Sequence, residues 1–200
     1  MKEVTQHRSG TQITAGATPE EELLAEHAVM AVVLSAMEAE VASMQGGRVL
    51  RRAFWADVID FNGNFVHLCH RVKEEGHLIP ILTAHGLVPE DQLAVVHREH
   101  GKASELTLGI RDGVEEDDWE KVLRLVVLYV HLLRAHMHEE DGLFALTREL
   151  PAAGREQLRA AFAQVEAQAL AQTGRAHFVD VVRRIAEAAG VELDAAVRTQ

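Results

Sequence analysis

The sequence predicts an all-α protein, an antiparallel up-down four-helix bundle with short additional C-terminal helices. Only 4 of the 200 residues are proline, and Ala, Leu, Val, Glu and Arg are abundant. This composition favours helices. Apolar residues recur along the chain at alternating steps of four and three, which is the pattern of helices that bury one face. Four long segments of this kind precede two shorter ones, and this order predicts the bundle.

Helix one is predicted from Pro19 to Gln45. Thr18 stands before Pro19, and three glutamates follow it. This is the pattern of an N-cap, a proline in the first helical position and an acidic first turn. The apolar stripe of the helix contains His27 in one of its positions, so a histidine is expected to face the core. The stripe consists of Leu23, His27, Met30, Leu34, Met37, Val41 and Met44.

Helix two is predicted from Val49 to Leu78, ending before Pro80. One of its stripes carries His70 and Glu74. A second apolar face is also present, so we expect this helix to be covered on two sides. The cover is either the C-terminal helices or a partner subunit, and the second alternative gives a homodimer. The residues of the second face are Phe54, Phe61, Phe65, Leu68 and Val72.

The remaining helices are predicted over residues 89–108, 115–148, 155–168 and 177–189, with Gly109 and Gly113 on either side of the turn after the first of them. Counting residues from each turn tests whether the histidines share a level in an up-down bundle. His27 and His70 match, and so do His70 and His100. His100 and His136 do not, because they lie about 12 and 24 residues from the predicted third turn, a separation of roughly 18 Å along the axis.

The predicted domain organisation is a flexible tail over residues 1–18, the bundle over residues 19–150, and packed C-terminal helices over residues 151–200. The net charge of −11 argues against non-specific nucleic-acid binding, which depends on Lys and Arg. A single cysteine, the absence of a signal-peptide pattern and the absence of a long uncharged apolar run predict a cytoplasmic protein that does not bind membranes.

Four consecutive helices each place a histidine on the apolar face, and two of them add a glutamate four residues later. Residues four apart lie on one side of a helix, so His70 and Glu74 converge, as do His136 and Glu140. A buried glutamate needs a partner, because an isolated charge in a core is costly. A metal ion supplies that partner, and imidazole with carboxylate suits iron, manganese or zinc.

At these residues the sequence resembles the hemerythrin-like, or HHE cation-binding, family. The segments that carry the resemblance are LLAEHAVM, FVHLCHRVKEEGHLIP, VVHREHGKA and YVHLLRAHMHEEDGLF, and the similarity extends over residues 20–185. It implies two iron ions with an oxo or hydroxo bridge, although another divalent metal stays an alternative. It also implies an open position for a small ligand such as O₂. The implied imidazole ligands are His27, His70, His100 and His136, and the implied bridging carboxylates are Glu74 and Glu140.

The sequence departs from the family pattern in three places. Arg71 stands where a second histidine is common, Ile79 replaces the usual Phe, and four histidines match instead of five. Tyr129 or His97 could supply a further ligand. The alternatives are a buried core tyrosine at position 129 and an outer position for His97. An outer position is also expected for His67.

Three classes of function are compatible with this pattern. The first is binding of O₂ or nitric oxide or handling of iron, the second is an enzyme such as a peroxide-disproportionating catalase or an oxidase, and the third is a structural zinc site. An apolar surrounding and few aromatic residues favour small uncharged ligands over a large substrate. The sequence therefore predicts a stand-alone non-haem di-iron protein that binds or reduces O₂, peroxide or nitric oxide, and it does not separate a carrier from an enzyme.

Overall fold

The computed structural model describes residues 17–47 and 49–193, so the predicted tail lies almost entirely outside the described residues. Within these ranges the chain forms helices and no strand, which confirms the all-α prediction. Five of the helices are regular, and a 3₁₀ turn, Leu146–Glu149, follows the third of these. The regular helices are α1 Pro19–Gln45, α3 Gln92–Glu116, α4 Trp119–Ala145, α5 Ala152–Ala169 and α6 Arg175–Ala189.

Helix α1 begins and ends at the predicted residues. The Thr18 hydroxyl accepts a hydrogen bond from the Glu21 backbone nitrogen at 3.2 Å, and the Glu21 carboxylate accepts one from the Thr18 nitrogen at 2.8 Å. This capping box satisfies two backbone donors that the first turn leaves free. By length and composition alone α1 could cross a membrane, as many core helices could. Here it packs against α4 and α6.

Helix α2 is continuous and changes its hydrogen-bonding pattern four times. Its segments are Arg52–Asp60 (α), Phe61–His70 (π), Arg71–Lys73 (α), Glu74–Leu78 (π) and Ile79–Ala84 (α). The prediction that this helix ends before Pro80 is wrong. Pro80 lies in the first turn of the last α-helical segment, where the pattern changes from π to α. A missing backbone N–H is tolerated there because that turn is starting a new hydrogen-bond register.

The wide turns of α2 follow from the spacing of its buried residues. A set of buried side chains recurs at every fourth position along this helix: Val58, Asn62, Val66, His70, Glu74, Leu78 and Leu82. In an α-helix with about 3.6 residues per turn, such a set drifts around the axis by about 40° at each step. The wider π turns reduce this drift. His70 and Glu74 therefore stay on the same face as the apolar residues on either side of them.

The C-terminal helices cover the second apolar face of α2. Phe54, Phe61 and Phe65 are buried, and the Phe65 ring lies 5.9 Å from the ring of Phe178 in α6. The last two members of the predicted face, Leu68 and Val72, are 54% and 38% exposed. The wide turns of α2 rotate these two positions away from the covered side.

Helix α3 passes straight through Gly109 and Gly113, so the turn predicted between these two glycines is wrong. A Cβ added at Gly109 would lie 2.7 Å from Leu125 Cδ1, and one added at Gly113 would lie 3.0 Å from Val122 Cγ2. These glycines allow α3 and α4 to pack closely. The chain turns at Asp117, whose φ of 60° is left-handed, and Asp118 then caps α4.

The new position of the turn removes the mismatch between His100 and His136. Asp117 is 17 residues after His100, and His136 is 18 residues after Asp118. The two histidines therefore share a level in the bundle. An apolar cluster packs on each side of this level: one contains Leu23, Leu78, Val96 and Phe144, and the other contains Met30, Val66, Ala103 and Leu133.

Candidate metal centre

The structure brings the six predicted ligand residues together inside the bundle. Each of the four helices α1 to α4 contributes one histidine, and α2 and α4 also contribute a glutamate. All six side chains are buried, with at most 6% of any residue exposed. They form two groups whose nitrogen and oxygen atoms lie within 4.8 Å of one another: His27, His70, Glu74 and Glu140, and then Glu74, His100, His136 and Glu140.

The histidines of each group point their Nε2 atoms at one another. This distance is 3.2 Å between His27 and His70 and 2.8 Å between His100 and His136. Two nitrogens that bind one ion at about 2.1 Å and at right angles lie about 3 Å apart. Each histidine pair is therefore spaced as two adjacent ligands of a single metal ion.

The two glutamates are shared between the groups. In Glu74, Oε1 lies 3.1 Å from Nε2 of His70, and Oε2 lies 3.3 Å from Nε2 of His100. In Glu140, Oε2 lies 3.0 Å from Nε2 of His136 and 3.7 Å from that of His27. Among the described residues none makes a hydrogen bond to any of these four oxygens. Buried carboxylates without hydrogen bonds are costly, and metal ions at both positions would pair them.

A second layer of carboxylates holds the outer nitrogen of every imidazole. Nδ1 of His27 lies 2.9 Å from Asp141, that of His70 lies 2.8 Å from Glu26, that of His100 lies 2.7 Å from Glu75, and that of His136 lies 2.8 Å from Glu99. Each carboxylate comes from the helix next to the histidine. The contacts thus form a closed ring in which α1 supports α2, α2 supports α3, α3 supports α4, and α4 supports α1.

The carboxylate ring fixes the protonation of the imidazoles. An ionised carboxylate only accepts hydrogen bonds, so each Nδ1 must carry a proton and donate it. In a neutral imidazole the Nε2 lone pair is then free and points inward. Carboxylate, imidazole and metal in this order are the usual arrangement in protein metal sites. The four histidines are therefore prepared to bind metal through Nε2.

The comparison with known families agrees with this geometry. The sequence model described as the hemerythrin HHE cation binding domain matches residues 18–146. The chain belongs to this family. No curated protein and no solved structure gave a match. The matched hemerythrin-like region contains all six predicted ligands, and α5 and α6 lie beyond its end.

The four outer carboxylates of this hemerythrin-like centre were not among the residues predicted from the sequence. Each one is the immediate neighbour of a predicted ligand: Glu26 precedes His27, Glu75 follows Glu74, Glu99 precedes His100, and Asp141 follows Glu140. A residue next to an inward-facing ligand points toward the adjacent helix. This adjacency is the signal that could have identified them.

Among the described residues no hydrogen bond joins the Tyr129 hydroxyl to an imidazole. Its side chain is fully buried, and its hydroxyl makes no hydrogen bond with any described residue. Its neighbour is Thr107, whose own hydroxyl donates to the Ala103 carbonyl. Tyr129 lies two helical turns, about 10 Å, before His136, and side chains lean toward the start of their helix, which here is away from the centre. Burial raises the pKa of the Tyr129 hydroxyl.

The other two candidates lie in the outer layer. Nε2 of His97 is 3.3 Å from Glu75 and the side chain is 51% exposed. Nδ1 of His67 is 3.5 Å from the Ser104 hydroxyl. Arg71, which replaces the histidine common in the family, donates to Glu75 at 2.7 Å and to Ser104 at 3.0 Å. Arg71 and His97 therefore both act on the carboxylate that supports His100.

The electrostatics of the centre favour cations. Burial opposes charge on His70 and His136, but the neighbouring glutamates outweigh it and raise the pKa of His70 to about 10 and that of His136 to about 9. Burial and the charge on His70 lower the pKa of His27 to about 4. Burial and the nearby charge of Glu74 raise the pKa of Glu140 to about 7. Without metal, protons take the positions that a cation would occupy.

Proposed function

We propose that this protein is a non-haem di-iron protein that binds or reduces O₂, peroxide or nitric oxide. The observation that supports the proposal is the sharing of Glu74 and Glu140 between two histidine pairs. Glu74 faces one histidine pair with each of its oxygens, so it would hold two ions side by side, which suits chemistry on a small ligand bound between or beside them.

Iron fits the donor set of each position. Two imidazoles and two carboxylate oxygens make four protein ligands, and a six-coordinate ion keeps two places for solvent and a small molecule. Two histidines with carboxylate and open places are typical of non-haem iron proteins. When bound, the irons would supply electrons and open coordination places for an oxygen-derived ligand.

The surrounding residues select for small, uncharged ligands. All six ligand residues are buried, so a large substrate has no access to them. The Phe144 ring lies 4.8 Å from the ring of His27, and Met30, Val66 and Leu133 are buried on the other side of the centre. These side chains keep bulk water from the imidazoles. O₂, nitric oxide and hydrogen peroxide are small enough to enter such a surrounding.

A structural zinc site is the second candidate, because four protein ligands at each position would also complete a tetrahedral zinc ion. Elemental analysis of the protein purified aerobically from iron-replete cells, with an absorption spectrum of the same sample, separates the two. The di-iron proposal expects about two irons per chain and near-ultraviolet bands that change on addition of peroxide. Zinc alone, or an iron spectrum that does not respond to O₂, peroxide or nitric oxide, would contradict it.

Titrations with O₂ and peroxide then divide the proposal into its two forms. A carrier binds O₂ reversibly to the ferrous protein and returns it when the pressure of O₂ falls. A peroxide-disproportionating enzyme releases O₂ from added hydrogen peroxide over many turnovers. Glu74→Ala is the control for both assays, because it removes a shared carboxylate and therefore the paired site.

A further inference from the structure

Lys73 is a fully buried cation next to the metal centre. Its ammonium lies 2.5 Å from Oε1 of Glu22 and contacts Oε1 of Glu26, both on α1. Oε2 of Glu166 on α5 is 3.9 Å away, and the ammonium stands 5.7 Å from the ring centre of Phe162 on the same helix. A buried ammonium is retained only where such partners surround it.

One carboxylate joins Lys73 to a predicted ligand. Oε1 of Glu26 accepts a hydrogen bond from the Lys73 ammonium, and Oε2 of Glu26 accepts one from Nδ1–H of His70 at 2.8 Å. If the ammonium moved, Glu26 would lose the charge that fixes its orientation. His70 would then lose the hydrogen bond that aims its Nε2 at the centre. Lys73 therefore acts on His70 through Glu26.

The carboxylate that supports His70 is more deeply buried than the other three outer carboxylates. Only 3% of the Glu26 side chain is exposed, against 17% for Glu75, 26% for Glu99 and 46% for Asp141. Water can take the place of a solvent-exposed carboxylate as a hydrogen-bond acceptor. Water does not reach Nδ1 of His70 while α5 covers this region. No water molecule can therefore replace Glu26 as the hydrogen-bond acceptor of His70.

The cover over Lys73 comes from the part of the chain beyond the region that matches the family. Phe162 and Glu166 belong to α5, and Arg175 at the start of α6 donates to Glu166 at 2.8 Å through Nε. The family match ends at residue 146. Both C-terminal helices thus contribute to the surroundings of one ligand, His70.

We propose that the C-terminal helices retain the metal ion at the His27 and His70 position, acting through Lys73, Glu26 and His70. The inference rests on the proposed metal centre and adds a role for α5 and α6. Glu26 is the buried one of the four outer carboxylates, since Glu75 and Glu99 at the other position are partly exposed and so is Asp141 behind His27. The two ions are therefore held with unequal kinetic stability, and α5 determines the difference.

The test uses the full chain loaded with Co²⁺, whose spectrum reports on its ligands, and an excess of chelator. In Lys73→Met we expect one of the two cobalt ions to leave about tenfold faster than in the wild type, the lower end of the loss that follows removal of an outer-layer partner. The second ion should leave at the wild-type rate. Glu166→Gln, a partly exposed position that is expected to fold, should show a smaller change in the same phase.

A control on the same helix accounts for general effects of losing a charge on α5. Glu156 is exposed, and its one ion pair among the described residues is with Arg159, three residues along α5. Glu156→Gln should therefore leave both cobalt rates unchanged. Equal acceleration of both ions in Lys73→Met, or no acceleration of either, would overturn the inference and leave the di-iron proposal standing. A wild-type chain that takes up neither cobalt nor iron would instead defeat the proposed function.

The inference can also be tested on the metal-free protein, so the test does not depend on metal uptake. ¹⁵N spectra of the histidine rings report which nitrogen carries the proton and how strongly it is hydrogen-bonded. Lys73→Met and Glu166→Gln should shift the Nδ1 signal of His70, and the Nδ1 signal of His136 should stay in place. Unchanged His70 signals in both variants would show that Lys73 does not position this ligand.

Discussion

Nδ1 of His27 lies 2.9 Å from Oδ1 of Asp141, and this contact joins the first helix of the bundle to the fourth. It closes the ring of carboxylates around the four imidazoles. It also fixes Nδ1 of His27, because Phe144, whose ring lies 4.8 Å from that of His27, makes no hydrogen bond that could orient the imidazole. The contact therefore ties α1 to α4 at the metal centre.

Asp141→Ala is expected to weaken metal binding by about tenfold, since loss of an outer-layer partner typically costs ten- to a hundredfold and water can replace this half-exposed carboxylate. Competition titration with a chromophoric chelator measures the change. Glu139→Ala, an exposed neighbour on α4, is the matched control. Equal metal affinities in the two variants would show that Asp141 does not support His27 as a ligand.

Glu74→Ala and Glu140→Ala are each expected to lose both metal ions. Each carboxylate faces both histidine pairs, so one substitution removes an anionic ligand from both positions at once and leaves a single carboxylate to offset the charge of two ions. Elemental analysis after purification from iron-replete cells gives the stoichiometry. Circular dichroism should still show a helical protein, because the apolar clusters on both sides of the ligand level are left in place. Wild-type iron content in both variants would refute the bridging assignment.

Metal binding is expected to strengthen as the pH rises from 6 to 9. In the metal-free protein the raised pKa values of His70, about 10, and His136, about 9, keep both imidazoles protonated at neutral pH. A metal ion must displace these protons. Zinc titrations in weakly buffered solution with a pH indicator should show proton release at pH 7. A metal affinity that is independent of pH would contradict the protonation of His70 and His136 in the metal-free protein.

The metal-free protein should show the opposite trend in its free energy of unfolding. Both imidazoles have a higher pKa in the folded state than the unfolded value of about 6.5. Their contribution is fully present below that value and is lost as the pH rises through about 9 and 10. Urea unfolding of the chelator-treated protein at several pH values between 7 and 10 measures it. Stability that increases over this window would oppose the assignment.

Gly113→Ala is expected to destabilise the protein by about 1 kcal/mol, because the added methyl group would press on Val122, a stiff β-branched side chain in the core. Gly101→Ala on the same helix is the control. No atom lies within 4 Å of a Cβ added there, so replacing this helical glycine should stabilise by about 0.5 to 1 kcal/mol. Thermal unfolding of both variants, with opposite shifts of Tm, tests the close packing of α3 on α4.

Tyr129→Phe should retain all of its metal. The hydroxyl has no hydrogen-bond partner among the described residues, so its removal should leave the stability unchanged or slightly increased. The visible spectrum of the iron-loaded protein is the measurement, and it should match that of the wild type. A lost absorption band would restore the alternative in which Tyr129 is a phenolate ligand.

The inward-facing residues could be predicted from the sequence because their chemistry is unusual for their surroundings. His27 in an apolar stripe and Glu74 four residues after His70 have few explanations other than a shared cation. The outer carboxylates could not be predicted in the same way. Glu26, Glu99 and Asp141 resemble the charged residues on the exposed face of any helix, and only the neighbouring helix shows that they have a fixed partner.

The wrong helix boundaries have a common physical origin. Proline and glycine usually end helices, and for that reason the sequence predicts that helix two ends before Pro80 and helix three before Gly109. In the fold, tertiary packing outweighs these local preferences. Gly109 and Gly113 allow a close helix–helix contact that a larger residue would obstruct, and a π segment precedes Pro80. Neither reason is visible in a single segment of sequence.

The closed carboxylate ring has a consequence for the assembly of the centre. A chain that has formed only α1, α2 and α3 has three of the four histidines and one of the two shared glutamates, and His27 is still without its carboxylate. Helix α4 adds His136, Glu140 and Asp141 together. A complete site therefore requires α4 to be packed against the other three helices, and a partly folded chain presents no complete site to a competing cation.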